Sequence, residues 1–275
     1  MWMFPAGGAS ASHTEEGSMA EYDRNAYAPY ATGMGRTMSA AQYDQGLRSY
    51  MLGIYNHMAV ALAISGLVAI GTFMLGTTTN AVGRLVLTPF GQAIWLSPLK
   101  WLVILAPLAF TLILSFRWER MSVGALLGTF YAFAATMGLS LSSIFVVYKL
   151  GSIAQVFFIT AASFGALSLF GYTTKKDLSA MGKFLMMGLF GLIIASLANL
   201  FFKSSGLQFA VNIIGVLIFA GLTAWDTQRL KEEYDVVAGD TTLQAKWSLM
   251  GALTLYLNFI NMFQMLLSLM GSRND

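Results

Sequence analysis

The chain contains seven stretches of about 20 apolar residues, and this feature restricts its fold more than any other. Roughly 20 apolar residues in a helix are needed to cross a bilayer core, where only helices or closed barrels satisfy the backbone hydrogen bonds. The 275 residues are 56% hydrophobic and 11% charged, whereas soluble domains are about 25% charged. The sequence therefore predicts an all-α integral membrane protein with seven transmembrane helices.

The predicted spans are joined by short polar connections, and Pro107 lies inside the second, where a proline kinks a helix. The spans run near residues 51–75, 99–116, 123–148, 153–172, 183–202, 207–225 and 246–270. The residues before the first span are rich in Gly, Ala, Ser, Tyr and Met. We predict a disordered N-terminal tail over residues 1–46 and a transmembrane domain over residues 47–275.

The distribution of Lys and Arg predicts the orientation, because positively charged loops stay in the cytoplasm. One side, formed by the tail and the loops after spans two, four and six, carries eleven of these residues, and the other side carries five. We therefore expect a cytoplasmic N-terminus and an external C-terminus. The formal charge of +3 is scattered, so nothing indicates a nucleic-acid partner.

Two of the predicted spans carry polar side chains at helical spacing, which lipid rejects unless they face protein or water. They are Asn212, Thr223 and Asp226 on the sixth span, and Thr254, Asn258, Asn261 and Ser268 on the seventh. Their spacings are close to whole helical turns, so each set shares one face. Two facing stripes would line a polar pathway. Hydrogen bonds that only hold the bundle together, at ~1 kcal/mol each, explain the Asn and Thr residues equally well.

Asp226 is the hardest of these residues to explain by packing. We place it at the end of the sixth helix, where an anion opposes the helix dipole at a cost of ~0.3–1 kcal/mol. One interpretation is a solvated ion pair with Arg229, or with Arg117 or Arg120 from a loop on the same side. The other is a partly desolvated carboxylate at the inner mouth of a polar pathway, whose charge changes with pH.

Two weaker signals lie elsewhere in the spans. His57, near the start of the first span, is either a polar anchor at the membrane interface or a pH sensor. The sequences GALLG, from Gly124 to Gly128, and GLFG, from Gly188 to Gly191, predict small faces for close helix packing.

The segments GYTTKKDLS, WDTQRL and LTLYLNFINMFQMLL, in this order, resemble the Bax inhibitor-1 (transmembrane Bax-inhibitor motif) family, in a bacterial branch. The resemblance extends over about residues 47–271. It implies seven helices with a central last helix, in the bacterial inner membrane. It also implies a pH-sensitive calcium leak with a cytoprotective role, gated by two aspartates near the cytoplasmic side. No cofactor is implied, since calcium is the ion that passes.

The resemblance places the first of these aspartates at Asp226, which would then contact calcium, but puts Asn258 where the second is expected. Two carboxylates that share a site couple their titrations, and an acid with an amide does not. We therefore predict a hydrogen bond from Asn258 to ionised Asp226 and an altered pH response. Calcium binding should be weaker, because calcium prefers carboxylate oxygens.

The resemblance also implies an arginine at the end of the second span that pairs with this aspartate. The segment SFRWERMSVG leaves Arg117 and Arg120 as equal candidates. The predicted sensor and gate are Asp226, Asn258, Arg117, Arg120 and Arg229. The predicted pathway lining is Asn212, Thr223, Thr254 and Asn261.

An alternative function is that of a membrane adaptor without channel activity. Some bacterial relatives are partners or substrates of a membrane-bound quality-control protease, and a disordered tail over residues 1–46 would give such a machine a handle. Loss of turnover with retained ion flux after removal of the tail would support this function as a separate activity.

The sequence gives little support to an enzyme. Catalytic zinc needs about three His or carboxylate ligands around an open position, but the chain has two His in all, and His13 lies in the predicted tail. With no Cys, thiol catalysis and disulfides are excluded, and no Ser has a His and an acid in a recognisable pattern. We expect no enzymatic activity.

Overall fold

The computed structural model describes residues 39–82 and 84–274, and within them helices dominate. The helices are α1 Ala40–Gly76, α2 Pro89–Trp95, α3 Leu99–Arg117, α4 Val123–Leu141, α5 Ile144–Val147, α6 Leu150–Thr173, α7 Ser179–Phe202, α8 Ser205–Val237 and α9 Thr241–Met270. Seven spans in this part of the chain are long and apolar enough to cross a membrane, with α4 and α5 forming one of them. The predicted all-α architecture with seven transmembrane helices is confirmed.

Two helices extend well beyond their predicted limits. Helix α1 begins at Ala40, so residues 40–46, which we assigned to the tail, are helical. Helix α8 continues to Val237, although the predicted span stops at residue 225. Charged residues end the apolar run but not the helix, because Leu230, Tyr234 and Val237 still bury one face. The rest of the predicted tail, residues 1–38, lies outside the described residues.

The connection between α1 and α3 has structure that the sequence analysis missed. Strands β1 Thr77–Thr79 and β2 Leu85–Leu87 pair as an antiparallel hairpin, and α2 follows directly. The Thr88 hydroxyl accepts a hydrogen bond from the backbone N–H of Gly91 at 3.2 Å, and Pro89 occupies the first helical position. Both are favoured choices at a helix start.

The long helices alternate in direction, so their connections gather at two faces. At the face where α1 begins, called here the N-terminal face, the Lys246 ammonium donates to the Glu119 carbonyl at 2.8 Å. At the opposite C-terminal face, the backbone N–H of Lys149 donates to the Ser272 carbonyl at 2.9 Å. The segment after α9 is thereby joined to the start of α6.

Helix α9 lies at the centre of the bundle, as predicted. It packs against α1, α4, α6 and α8. Half of its most apolar 18-residue stretch is buried (50%), compared with 11% of the corresponding stretch in the spans that contain α3 and α7. Tyr256 of α9 is fully buried between Phe130 and Phe133 of α4. Its hydroxyl lies 2.6 Å from that of Ser65 in α1, which satisfies a polar group that would be costly to bury alone.

The closest helix approaches occur at glycines other than those predicted, although a Cβ at Gly188 of the GLFG sequence would lie 3.2 Å from Ile218 of α8. A Cβ atom added at Gly124 or Gly128 would meet no atom within 4 Å, so the GALLG prediction of close packing was wrong. A Cβ at Gly171 of α6, in contrast, would lie 2.1 Å from the Ala224 carbonyl oxygen of α8. Small residues do permit close contact between helices here. The spacing of glycines in the sequence alone does not identify which of them face a neighbouring helix.

Gly171→Ala should therefore destabilise the bundle, because the new methyl group collides with backbone that cannot rotate away. Overpacking of this kind costs about 1–3 kcal/mol. Thermal unfolding of purified protein in detergent measures the effect. Gly165→Ala on the same helix is the matched control, since a Cβ there meets nothing within 4 Å. Equal melting temperatures for the two variants would contradict the close approach of α6 and α8.

Candidate functional site

Asp226 lies inside α8 and is buried, with 4% of its surface exposed. Our prediction that it ends the helix was wrong, because α8 continues to Val237. The argument from an unfavourable helix dipole therefore does not apply, since that effect is confined to the last turn. The cost of Asp226 is instead the removal of a carboxylate from water, which proteins offset with charged or hydrogen-bonding partners.

Each carboxylate oxygen of Asp226 accepts a hydrogen bond from a nitrogen donor. The Asn258 amide Nδ2 of α9 donates to Oδ2 at 2.7 Å, and Arg229 Nη2 donates to Oδ1 at 2.9 Å. Asn258 is itself 5% exposed. The predicted hydrogen bond from Asn258 is present, and it joins α8 to the central helix through the two polar faces.

Arg229 connects the buried acid to the surface of α8. Its side chain is 40% exposed, and its Nε lies 3.7 Å from the Glu233 carboxylate. The guanidinium also stacks 5.2 Å from the Trp225 ring centroid, a favourable cation–π geometry. Spacings of three and four residues put these side chains on one side of the helix, so α8 supplies the cation that pairs with its own acid.

Tyr50 of α1 packs against the charged extension of α8, and nothing in the sequence pattern indicated it. Its hydroxyl and Arg229 Nε are the buried side-chain polar atoms that lack a hydrogen-bond partner among the described residues. The Tyr50 ring packs 5.5 Å from Tyr234 of α8, and the Tyr43 hydroxyl donates to the Asp235 carboxylate. The first turns of α1 are thus attached to the charged extension of α8.

Arg117 and Arg120 are both exposed, at the end of α3 and in the 3₁₀ turn Trp118–Arg120 that follows it. That turn contacts the start of α9, where Trp118 meets Trp247 edge to face at 5.7 Å. Within the described residues, no ion pair joins either arginine to Asp226, whose ion-pair partner is Arg229. A role for Arg117 or Arg120 in gating stays a prediction.

The predicted lining residues make two kinds of contact. Asn212 of α8 donates to the Ser268 hydroxyl of α9 at 2.7 Å, so the two polar faces also meet near the C-terminal face. Thr223, Thr254 and Asn261 instead donate to carbonyls of their own helices. Between the two polar contacts the packing is apolar, and a Cβ at Gly215 would lie 2.1 Å from Met265 Sδ. The pathway through these residues stays a prediction.

The residues after Asp226 in the DTQ motif attach α8 to two further elements. The Thr227 hydroxyl lies 3.4 Å from Ser168 of α6. Gln228 Oε1 accepts from the Leu178 backbone N–H, and its Nε2 donates to the Lys176 carbonyl, both at 2.8 Å. Gln228 thereby holds the connection between α6 and α7 through two hydrogen bonds. The motif fixes the position of α8 around the acid.

His57 contacts another helix and not the acid. Its Nδ1 lies 3.0 Å from the Tyr131 hydroxyl of α4, and both side chains are partly buried. The contact is of the kind that joins neighbouring helices in a membrane protein.

The comparisons with known proteins agree with this architecture. The family model described as inhibitor of apoptosis-promoting Bax1 matches residues 47–275. The chain belongs to the Bax inhibitor-1 family. Similar proteins include the inner membrane protein YbhL of Escherichia coli K12, 44% identical over 239 residues, 86% of this chain and 97% of YbhL. An uncharacterized protein of Caulobacter vibrioides is 42% identical over 246 residues, 90% of this chain and 97% of that relative.

A second uncharacterized relative, from Rickettsia prowazekii, is 42% identical over 246 residues, 90% of this chain and 99% of the relative. The similarity of this Bax inhibitor-1 family member to these bacterial relatives therefore extends over most of the chain.

Proposed function

We propose that this Bax inhibitor-1 family member is a cation leak of the bacterial inner membrane, with calcium as the ion and a cytoprotective role. Asp226 controls passage at the contact between α8 and α9. The observation that supports this most is a carboxylate 4% exposed and held by one donor from each of these helices. Intramembrane carboxylates are costly and mark ion pathways.

The proposed mechanism is an exchange of partners at Asp226. While Asn258 and Arg229 occupy its two oxygens, the seam between α8 and α9 is closed. An approaching cation offers the carboxylate an alternative to Arg229, and the half-exposed guanidinium then moves toward Glu233 and the surface. The positive-inside distribution of Lys and Arg puts this end of the seam at the cytoplasmic side in our proposal.

Calcium passes this site and does not reside there. Calcium takes about 6–8 oxygen ligands in proteins, whereas both oxygens of Asp226 face nitrogen donors. Within residues 39–82 and 84–274, no group of three or more His, Asp or Glu could hold a metal ion. A weakly bound ion leaves easily, which is what conduction requires.

Asp226→Asn tests the proposal in liposomes that contain the purified protein and a calcium-sensitive dye. The amide keeps the shape of the side chain but removes its negative charge, so we expect calcium flux to fall at least tenfold. The remaining flux should vary little between pH 5 and pH 8, since the titrating group is gone.

Asp177→Asn is the matched control, because it removes an exposed acid from the loop at the same face. The Ser179 backbone N–H, which donates to Asp177 at 2.8 Å, lowers the pKa of that carboxyl below its usual range. Asp177 therefore stays ionised throughout the pH range of the assay and cannot produce its pH response.

Equal fluxes through Asp226→Asn and wild-type protein would refute control by Asp226. A wild-type protein that passes no calcium at any pH would refute the leak itself.

A further inference from the structure

Helices α1 and α6 border a cleft that contains two cavities. The larger, of about 630 Å³, lies toward the N-terminal face between residues 44–55 of α1 and 164–172 of α6. The smaller, of about 240 Å³, lies nearer the C-terminal face between residues 62–70 of α1 and 150–158 of α6. Asp226 and Asn258 line neither cavity, so the cleft is separate from the site described above.

The larger cavity opens sideways, toward the space that lipid fills around the bundle. Leu52 and Leu169 on its two walls are 52% and 63% exposed. Its remaining walls are mostly apolar, with Leu47, Met51 and Phe164 among them. A cavity with such walls excludes hydrated ions and suits a hydrocarbon chain.

Cationic side chains lie at the end of the larger cavity that meets the membrane surface. Arg48 and Asp44 line this end, and within the described residues no ion pair involves Arg48. Lys231 lies just behind, where its ammonium donates to the Tyr172 carbonyl at 3.1 Å and sits 5.1 Å from the Tyr172 ring centroid. At this end the Asp44 charge opposes that of Arg48, and the Lys231 ammonium adds a second positive charge behind Tyr172.

The smaller cavity has no such charges. Every residue that lines it is uncharged, and Ser65 is its polar member. Of these two cavities, only the larger combines charged residues with apolar walls. An anionic amphiphile requires both.

We propose that the larger cavity binds an anionic phospholipid from the leaflet at the N-terminal face. Its phosphate contacts Arg48, since the planar guanidinium matches phosphate oxygens in a bidentate geometry. One acyl chain lies between Leu52 and Leu169 and is covered by Phe164. Asp44 weakens the site by repelling the headgroup, and Lys231 adds to the attraction.

Native mass spectrometry of the full chain tests the proposal, with protein taken from nanodiscs of phosphatidylglycerol and phosphatidylcholine in equal amounts. We expect wild-type protein to retain phosphatidylglycerol preferentially. Arg48→Gln should lower this retention about fivefold, the worth of one cation near an anionic surface. Asp44→Asn should raise it.

Two glycine variants separate the cavity from general surface charge. Gly165 and Gly66 line the larger and the smaller cavity, and a Cβ at either meets nothing within 4 Å. Gly165→Leu should fill the larger cavity and abolish the preference, whereas Gly66→Leu should leave it intact. Unchanged melting temperatures show that both variants fold. Equal retention of the two lipids by wild-type protein, or equal phosphatidylglycerol retention by wild type, Arg48→Gln and Gly165→Leu, would overturn the proposal.

Discussion

Asn258→Asp should convert a shallow pH response into a steep one, with calcium flux rising at least tenfold between pH 5 and pH 8. The substitution places a second carboxyl where an amide now lies 2.7 Å from the Asp226 carboxylate. At low pH the two groups share a proton in a short hydrogen bond that holds α8 against α9. Once that proton is lost, two like charges in a buried site repel each other and the seam opens.

The pH at which flux rises belongs to the pair and not to either residue. Flux from pH 5 to pH 8 through liposomes with wild-type or variant protein is the measurement. Asn212→Asp is the control, since it adds an acid at the other polar contact between α8 and α9, where the partner is the Ser268 hydroxyl. A similar rise of calcium flux with pH in Asn212→Asp would mean that a coupled acid pair does not set the pH response. Superimposable curves of flux against pH for wild type and Asn258→Asp would mean the same.

The sequence predicted the spans well because their cause is local. A run of about 20 apolar residues is sufficient to specify a transmembrane helix. The ends of α1 and α8 were missed for the same reason, since each helix continues into polar sequence and is held there by tertiary packing. Tyr50 and Tyr234 show this: their rings pack at 5.5 Å beyond the apolar run of α8, and neither residue has a local signal.

The hairpin after α1 was missed because its strands are only three residues each. Such strands are too short for a periodic pattern to be visible, and single-strand propensity depends on context. The sequence did contain the Thr-Pro pair that begins α2, a signal that could have located this helix.

Part of the candidate site could be predicted from the sequence, and the rest depends on tertiary packing. The family motifs led to Asp226 and Asn258, and helical spacing put Arg229 one turn from the acid. The sequence did not decide which arginine pairs with Asp226, because Arg117, Arg120 and Arg229 were all candidates, and only the tertiary structure pairs the acid with Arg229. The central position of α9 came from the resemblance and not from hydropathy, since α9 has the lowest mean hydropathy of the seven spans.

Arg229→Gln should destabilise the protein by about 2 kcal/mol at neutral pH, a typical value for a hydrogen bond to a charged group. The variant removes the 2.9 Å bond to Asp226 and leaves the buried carboxylate with Asn258 as its donor. The cost of an unpaired buried charge is larger in general, but Arg229 is 40% exposed, and water can replace part of its contact. Thermal or denaturant unfolding in detergent provides the measurement.

A double-mutant cycle with Asp226→Asn distinguishes loss of the pair from loss of packing. If Arg229 stabilises the protein mainly through the acid, the double variant should lose less stability than the sum of the single variants by at least about 1 kcal/mol. Lys231→Gln is the matched control on the same helix, because Lys231 bonds a carbonyl and not a carboxylate. Additive effects would show that the contact with Trp225 accounts for the stabilising effect of Arg229, and that Asp226 is held by α9 through Asn258 alone.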